Sequence, residues 1–215
     1  SMGAYKGTYH ILHGNLAPGG AIIKQSAATP ALLEHEGRAV VFENAEDLSR
    51  RIDDPALDVA ADDVLILKNI GPIGAPGMPE AGYLPIPRKL AQQGVKDMVR
   101  ISDGRMSGTA TGTIVLHVTP EAAIGGALAT ARTGDRVRLS VKARTISLLI
   151  SDDEMARRLT EDSSRRAATP PAAASGRGYR KLFLDHVTQA DRGCDFDFLR
   201  AAEMTQSAPA ARRLA

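Results

Sequence analysis

The chain has 215 residues, which is long enough for one sizeable domain with a hydrophobic core. Its 27 basic and 25 acidic residues leave a formal net charge of +2, so no broad charged surface favours nucleic acid or an anionic membrane as a partner. No stretch approaches the roughly 18 apolar residues of a membrane span, and the single cysteine, Cys194, excludes an internal disulfide and favours a cytoplasmic location.

Short apolar runs alternate with helical stretches in the first half of the chain. The runs are residues 21–23, 39–42, 64–67, 98–101 and 114–118. Gly, Pro and Asp bound these runs, a pattern typical of buried strands in a sheet that helices cover. Residues 45–52 and 84–93 are predicted helices, and the second begins near or after Pro87 because proline disrupts a helix interior. These elements predict an α/β domain.

A further helix is predicted to start at Thr119-Pro120-Glu121 and to run to about Arg132, ending at Gly134. Threonine is a good N-cap, and proline and glutamate suit the first helical turn. Residues 136–141 and 146–150 then alternate apolar with polar side chains, which predicts two strands of an antiparallel hairpin with one buried face.

The remaining elements follow in order. Ser151 and Glu154 form a capping-box signature for a helix over residues 152–159. Residues 160–178, rich in Ala, Pro, Ser and Arg, read as a loop or linker, and a last helix is predicted over 179–190. We expect one domain over residues 1–160, a linker and helical extension of it over 161–199, and a disordered tail over 200–215.

Two glycine-rich loops are candidate sites, since loops that leave strand ends often carry function in α/β folds. They contain "GPIGAPGMPEAGYLPIP" (71–87) and "SDGRMSGTATGT" (102–113). Neither matches a phosphate-binding loop or a dinucleotide fingerprint, and the prolines of the first loop remove amide donors, which disfavours nucleotide binding. Glu80 is either a Mg²⁺ ligand or a solvated acid, and Ser107 is either a functional serine or a turn residue.

The other polar residues receive structural interpretations. Asp103 and Arg105 read as a local ion pair or turn residues, and His117, within an apolar strand, as a satisfied core residue. Cys194 has no histidine at readable spacing and is interpreted as structural. The remaining histidines show no metal-ligand spacing; they are His10, His13, His35 and His186.

Several ordered motifs resemble the carboxy-terminal domain of the dihydroxy-acid and phosphogluconate dehydratase family. They are "GNLAPGGAIIKQSA" (14–27), "GPIGAPGMPEAGYLPIPRKLA" (71–91), "SDGRMSGTATGT" (102–113), "TPEAAIGGALA" (119–129) and "TGDRVRL" (133–139). Together with "DHVTQADRGCDFDFL" (185–199), the motifs are most similar to sugar-acid dehydratases that act on pentonates such as arabinonate and xylonate. Thr111 stands where the family pattern has an aromatic residue.

The resemblance implies a fold, a reaction and a set of residue roles. The fold is a swivelling β/β/α domain, a barrel-like sheet flanked by helices, although the strand runs alone would also permit a doubly wound sheet. The reaction converts a 2,3-dihydroxy acid into a 2-keto acid, with Mg²⁺ and an iron–sulfur cluster as cofactors. Ser107 would be the base, Glu80 a Mg²⁺ ligand, and Gly108 and Thr109 substrate contacts.

The family's cluster cysteines and other metal ligands lie in a larger amino-terminal domain. We therefore expect this chain to be the last third of such an enzyme, with the amino-terminal domain and a small sugar-acid or dihydroxy-acid substrate as partners, and to form a homo-oligomer. The opening Ser1-Met2 is typical of residues left by tag removal and agrees with a piece of a longer protein. The alternative is a non-catalytic ligand-binding or assembly domain that retains the glycine loops.

Overall fold

A computed structural model describes residues 9–78, 84–105, 111–168 and 177–199. Its centre is a closed eight-stranded barrel with the spatial order β1-β2-β6-β5-β4-β3-β7-β8. The strands are β1 (Tyr9–Gly14), β2 (Ala17–Lys24), β3 (Glu34–Phe42), β4 (Val64–Leu67), β5 (Arg100–Ser102), β6 (Ile114–Thr119), β7 (Arg136–Ser140) and β8 (Thr145–Leu148). The helices are α1 (Ala45–Arg51), α2 (Arg88–Gln92), α3 (Asp152–Ala168) and α4 (Gly178–His186). The barrel-like α/β fold is confirmed, and the closed sheet excludes the open, doubly wound alternative.

Four neighbouring strands, β3 to β6, run parallel to one another. Phe42 pairs with Leu67, and Leu67 pairs with Ser102, so the carboxyl ends of these strands lie side by side. The connections that leave β4 and β5 therefore start at the same end of the barrel. Both glycine-rich loops belong to these connections.

Alternation of side chains along the strands builds two apolar layers. Val41, Ile66 and Ile101 point into the barrel, where they join one continuous buried cluster. Phe42 and Leu67 point outward into a second cluster, which includes residues of α1 and α2. The central strands are apolar on both faces because both faces are covered.

The barrel closes along a narrow seam between β1 and β8. Only His13 and Thr145 pair as strand residues there, and the His13 amide donates to the Arg144 carbonyl at 3.0 Å. The side chain of Asn15 extends the seam, since its Nδ2 donates to the Leu148 carbonyl and its Oδ1 accepts from the Leu148 amide, both at 2.8 Å. One amide side chain thus replaces a pair of main-chain hydrogen bonds.

The helix predicted from Thr119 to Gly134 is wrong. Two short 3-10 turns, Ala122–Ile124 and Ala127–Thr130, occupy this region instead. The hydroxyl of Thr119 donates to the His117 carbonyl rather than capping a helix. Gly126 packs so closely on Pro120 that a Cβ would lie 1.7 Å from the Pro120 carbonyl oxygen. The chain folds back on itself at this contact, and a continuous helix over these residues would not bring them together.

The end of the chain also differs from the prediction. The helix start at Ser151 is confirmed, since Ser151 Oγ accepts from the Glu154 amide at 3.2 Å, but α3 continues to Ala168 through most of the predicted loop. Asp162 pairs with both Arg165 and Arg166, which lie one helical turn later, and these pairs support the extension. The final helix, α4, ends at His186, before the predicted boundary at 190.

The strands are predicted better than the helices. The five apolar runs overlap β2 to β6, and the alternating segments form the antiparallel β7–β8 hairpin. Strand β1 is missed because half of its side chains are exposed. None of the helices within the described ranges is long and apolar enough to cross a membrane.

Candidate functional site

The predicted site residues Glu80, Ser107, Gly108 and Thr109 lie outside the described residues. The residues on either side of them are described. We call the connection from β4 to α2 (residues 68–87) the Glu80 loop and the connection from β5 to β6 (residues 103–113) the Ser107 loop. The contacts at the ends of the two loops define the site.

Arg105 joins the two loops on their amino-terminal sides. It is the last described residue before Ser107, and its Nε donates to the main-chain oxygen of Met78 at 2.6 Å. Met78 is the last described residue before Glu80. One hydrogen bond thus holds together the two points that precede the predicted site residues.

Arg100 joins the same loops on their carboxyl-terminal sides. It is 5% exposed on β5, and its guanidinium donates from Nη1 to the Leu84 carbonyl at 3.0 Å and from Nη2 to the Thr111 carbonyl at 3.3 Å. Leu84 and Thr111 are the first described residues after each predicted site. Both loops are therefore bridged to each other before and after the segments that carry Glu80 and Ser107.

Asp97 holds the Arg100 side chain in this position. Its Oδ1 accepts from Arg100 Nη2 at 3.0 Å, and it also accepts from Thr113 and from the Thr29 hydroxyl. Burial would raise the pKa of Asp97, but the hydrogen bonds from Thr29 and Thr113 outweigh it and hold the pKa below its usual value. Asp97 is thus an ionised partner for a buried cation.

Gly112 makes room for this ion pair. Its φ is +119°, and a Cβ at this position would lie 1.9 Å from Arg100 Nη2 and 2.8 Å from Asp97 Oδ1. A side chain is excluded by both the backbone conformation and the contact. At least one glycine of the Ser107 loop is therefore explained by the arginine that packs beneath it.

Asp103 holds the start of the Glu80 loop. Its carboxylate is 1% exposed and accepts hydrogen bonds from the amides of Asn69, Ile70 and Ala122 at 2.9–3.1 Å. Burial raises its pKa to about 6, although the amides of Ile70 and Ala122 act in the opposite direction. Of the two sequence interpretations of Asp103, a turn residue fits these contacts.

Glu121 holds the next part of the same loop. It is 1% exposed, and its carboxylate accepts from the amides of Ile73 and Gly74 at 2.9 Å. The side chain of Gln189 donates to Glu121 Oε1 at 2.7 Å and accepts from the Glu121 amide at 3.0 Å. Glu121 thus connects the Glu80 loop to the segment that follows α4.

His117 differs from the expected satisfied core histidine. It adopts a left-handed φ of 54° in β6, and its buried Nδ1 has no hydrogen-bond partner among the described residues. Burial, followed by the nearby charge of Arg105, lowers the pKa of His117, so the ring is neutral at neutral pH. Cys194 agrees with a structural role, since burial raises the pKa of its thiol and disfavours the reactive thiolate.

The described side chains do not form a metal centre by themselves. Within the described ranges, no three His, Cys, Asp or Glu side chains come together in a way that could hold a metal ion. The carboxylates of Asp103 and Glu121 are engaged by backbone amides, which leaves Glu80 as the carboxylate of the Glu80 loop to consider for Mg²⁺. One cysteine in the whole chain does not fit an iron–sulfur cluster, which is generally held by several thiolates.

Sequence reasoning missed the supporting roles of Arg100, Asp103 and Glu121. Asp103 reads as a turn residue and Glu121 as a helix-start acid when each is judged by its neighbours in sequence. The available signal is the long loop after β4, because the backbone amides that such a loop buries require acceptors. Acids that follow neighbouring strands at the same end of the sheet are the natural acceptors.

Comparison with known proteins places these loops in a family. The family described as dihydroxy-acid/6-phosphogluconate dehydratase C-terminal matches residues 3–194. Over 202 residues the chain is 55% identical to 6-deoxy-6-sulfo-D-gluconate dehydratase of Pseudomonas putida, a match that covers 94% of this chain and 34% of that protein.

Two further relatives carry related names. L-arabonate dehydratase of Azospirillum brasilense is 57% identical over 201 residues, covering 92% of this chain and 34% of the relative. Dihydroxy-acid dehydratase of Clostridium beijerinckii is 42% identical over 149 residues, covering 69% of this chain and 26% of the relative. The chain spans about a third of the length of the first two relatives. It belongs to the family of dihydroxy-acid/6-phosphogluconate dehydratase C-terminal domains.

Proposed function

We propose that this chain is the carboxy-terminal domain of a dehydratase that converts a 2,3-dihydroxy sugar acid into a 2-keto acid. The observation that carries the proposal is the pair of arginine bridges between the Glu80 and Ser107 loops. Arg105 bonds to Met78, and Arg100 bonds to Leu84 and Thr111. Because both loops are tied together before and after the predicted site residues, a carboxylate and a hydroxyl can serve one substrate.

The relatives' names support a sugar acid over a branched-chain dihydroxy acid. The relatives named for sulfogluconate and arabonate are 55% and 57% identical over more than nine-tenths of the chain. The relative named dihydroxy-acid dehydratase is 42% identical over 69% of it. A pentonate is accordingly the first substrate to test.

The chain's own contribution to the chemistry is a base and a metal ligand. Ser107 takes the C2 proton, the C3 hydroxyl departs, and the resulting enol becomes the 2-keto acid, with loss of one water in total. A free serine hydroxyl is a weak base, so amide donors near Ser107, including those of Gly108 and Thr109, are needed to stabilise its alkoxide. Mg²⁺ bound through Glu80 would supply stabilisation of negative charge on the substrate carboxylate and C2 oxygen.

The rest of the active site belongs to the amino-terminal domain in this proposal. The thiolates of the iron–sulfur cluster and the further Mg²⁺ ligands are assigned to that domain, because this chain contains one cysteine and its Glu80 loop contains one acidic residue. A cytoplasmic homo-oligomer is the proposed form of the enzyme, and the single, half-buried thiol suits a reducing compartment.

The test is a substrate panel on the full-length enzyme encoded by the source gene. Arabinonate, xylonate, 6-deoxy-6-sulfogluconate and a branched-chain dihydroxy acid are assayed for 2-keto acid formation. We expect kcat/KM to be highest for one of the sugar acids. Preference for the branched-chain acid would overturn the substrate class, and no turnover of any of them would overturn the proposed function.

A further inference from the structure

One outer face of the barrel carries apolar side chains that are exposed in the structure. Ile11 of β1 pairs directly with Ile22 of β2, which pairs with Leu116 of β6. Tyr9 extends the row along β1. Tyr9, Ile11 and Ile22 are 60%, 57% and 37% exposed, and Leu116 is half-buried. We call this row the bare sheet face.

Helices α1, α2 and α3 lie on other parts of the barrel. Residues of α1 and α2 pack on the outward side chains of β3 and β4, and α3 packs against the Ala127–Thr130 turn. More than half of the surface of Tyr9 and of Ile11 is exposed to solvent. Contiguous exposed apolar residues of this kind mark interaction surfaces in soluble proteins.

The outer face formed by β3 and β7 shows what the same barrel presents to solvent. Glu36 of β3 lies opposite Arg138 of β7, and its carboxylate binds Arg138 at 2.9 Å and Arg136 at 3.2 Å. The Arg138 side chain is 58% exposed. Outward positions of antiparallel strands are usually polar when they face water, as they are here. The apolar residues at the equivalent outward positions of β1 and β2 therefore indicate a covered face.

We propose that the bare sheet face packs against the polypeptide that precedes this domain in the full-length enzyme. This inference rests on the proposed function, in which the chain is the carboxy-terminal third of a longer dehydratase. The family description is of a C-terminal domain, and the first relatives are about three times as long as this match. Their additional polypeptide thus precedes residues equivalent to the start of this chain.

The position of β1 favours that occupant over a second copy. Tyr9 is the first described residue and lies at one end of the bare sheet face, so preceding polypeptide reaches the barrel beside this face. A covalently attached partner has a high effective concentration at such a surface without further contacts. The occupant should present an uncharged, apolar surface, because the core of an interface is depleted of charged residues.

Cysteine labelling tests the proposal with two matched variants. Ile11→Cys lies on the bare sheet face, and Arg138→Cys is the control on the charged face; both wild-type side chains are exposed to solvent. Each variant is made in this 215-residue chain and in the full-length enzyme, and alkylation by iodoacetamide is followed by peptide-resolved mass spectrometry, which separates the new thiol from Cys194. We expect the Ile11→Cys thiol to react about tenfold or more slowly in the full-length enzyme than in the chain, and the Arg138→Cys thiol to react alike in both.

Three outcomes would overturn the proposal. Equal labelling of Ile11→Cys in both forms would show that the face stays exposed. Protection that disappears when the full-length enzyme is diluted would identify a second copy as the occupant, and slow labelling in the 215-residue chain would identify the chain's own terminal segments. Protection in an enzyme that dehydrates no sugar acid would overturn the proposed function and support the docking surface, so the two failures are distinguishable.

Discussion

Asp103 and Glu121 stabilise the site by accepting hydrogen bonds from the backbone of the Glu80 loop, not by reacting. Each buried carboxylate receives at least two main-chain amides, and Asp103 receives three. An amide left without an acceptor in this region would cost about 1–3 kcal/mol. The two acids therefore determine where the loop begins its path toward Glu80.

Asp103 makes a testable contribution to the pH dependence of stability. Burial raises its pKa to about 6, so the folded state binds this proton more tightly than the unfolded chain does. Its contribution to the free energy of unfolding is present below about pH 4 and is lost as the pH rises through 6. We expect the free energy of unfolding of the wild-type chain, relative to Asp103→Asn, to fall by about 2 kcal/mol between pH 4 and pH 7. Urea unfolding at several pH values measures this difference, and parallel curves for the two proteins would contradict it.

Gly112 is predicted to tolerate no side chain because Arg100 occupies the space. Gly112→Ala should destabilise the chain by about 3 kcal/mol or more, as the new Cβ displaces Arg100 from Asp97 and adds strain at a positive φ. Gly134→Ala is the matched control, because Gly134 has a φ of +100° with no atom near the position of a Cβ. Its expected cost is the backbone strain alone, about 1–2 kcal/mol. Equal urea midpoints for the two variants would refute the packing argument.

Ser107 is predicted to act in the transition state. In the full-length enzyme, Ser107→Ala should lower kcat by about 10²-fold or more with little change in KM, because a general base contributes to the barrier and not to binding. Exchange of the C2 proton with deuterated solvent should stop as well. Ser151→Ala is the control, since the Ser151 hydroxyl caps α3 and its loss should lower stability without changing kcat. Normal turnover by Ser107→Ala would assign the base to another residue.

At the scale of elements, a buried arginine makes the densest set of polar contacts between α3 and the residues before β7. Arg158 binds both carboxylate oxygens of Asp135 at 2.6 and 3.0 Å and donates to the Thr130 carbonyl at 3.1 Å. These contacts tie the helix to the residues that precede β7. Its neighbour Arg157 faces solvent and pairs with Glu154 and Glu161 of the same helix.

The two arginines should therefore differ sharply when truncated. Arg158→Ala is expected to lower the free energy of unfolding by about 3 kcal/mol, because the Asp135 side chain, 10% exposed, loses the cation that neutralises it. Arg157→Ala should leave the urea midpoint almost unchanged, since exposed pairs within a helix contribute little. Similar losses in both variants would mean that α3 is held by its other contacts.

The elements that sequence predicts well are those that local pattern determines. The alternation of residues 136–150 gives the β7–β8 hairpin because each strand has one buried face. The helix expected after Thr119 fails because its two glycines pack against Pro120 and Arg166. The end of α3 is missed because residues 160–168 have no apolar periodicity. Ion pairs from Asp162 to Arg165 and Arg166 support the helix there instead.

The candidate site likewise contains residues that local sequence motifs predict and residues that they do not. Glu80 and Ser107 are singled out by motifs and stay predictions, because they lie outside the described residues. Arg100 and Asp103 act through contacts with residues far away in sequence, such as Leu84 and Ile70, and no local pattern records such pairs. Their roles become visible only when the strands lie side by side.

At the scale of the whole molecule, the isolated chain is predicted to fold but to have no dehydratase activity by itself. Purified as 215 residues, it should show a cooperative unfolding transition, no stoichiometric iron and no 2-keto acid production, because its one cysteine cannot hold a cluster. Iron analysis and the dehydratase assay check both statements. Stoichiometric iron, or turnover without further polypeptide, would contradict the assignment of the cluster to another domain.

Barrel closure through Asn15 gives this domain a line of preferential opening. Every other pair of neighbouring strands shares at least two paired residues, whereas β1 and β8 share one pair and the two hydrogen bonds of the Asn15 side chain. If the hydrogen bonds between β1 and β8 break, the barrel becomes an open, curved sheet with two edge strands. Each edge strand could then pair with a strand of another molecule. The Asn15 side chain and the main-chain hydrogen bond from His13 to Arg144 thus keep these two strand edges paired, a role separate from any chemistry on the substrate.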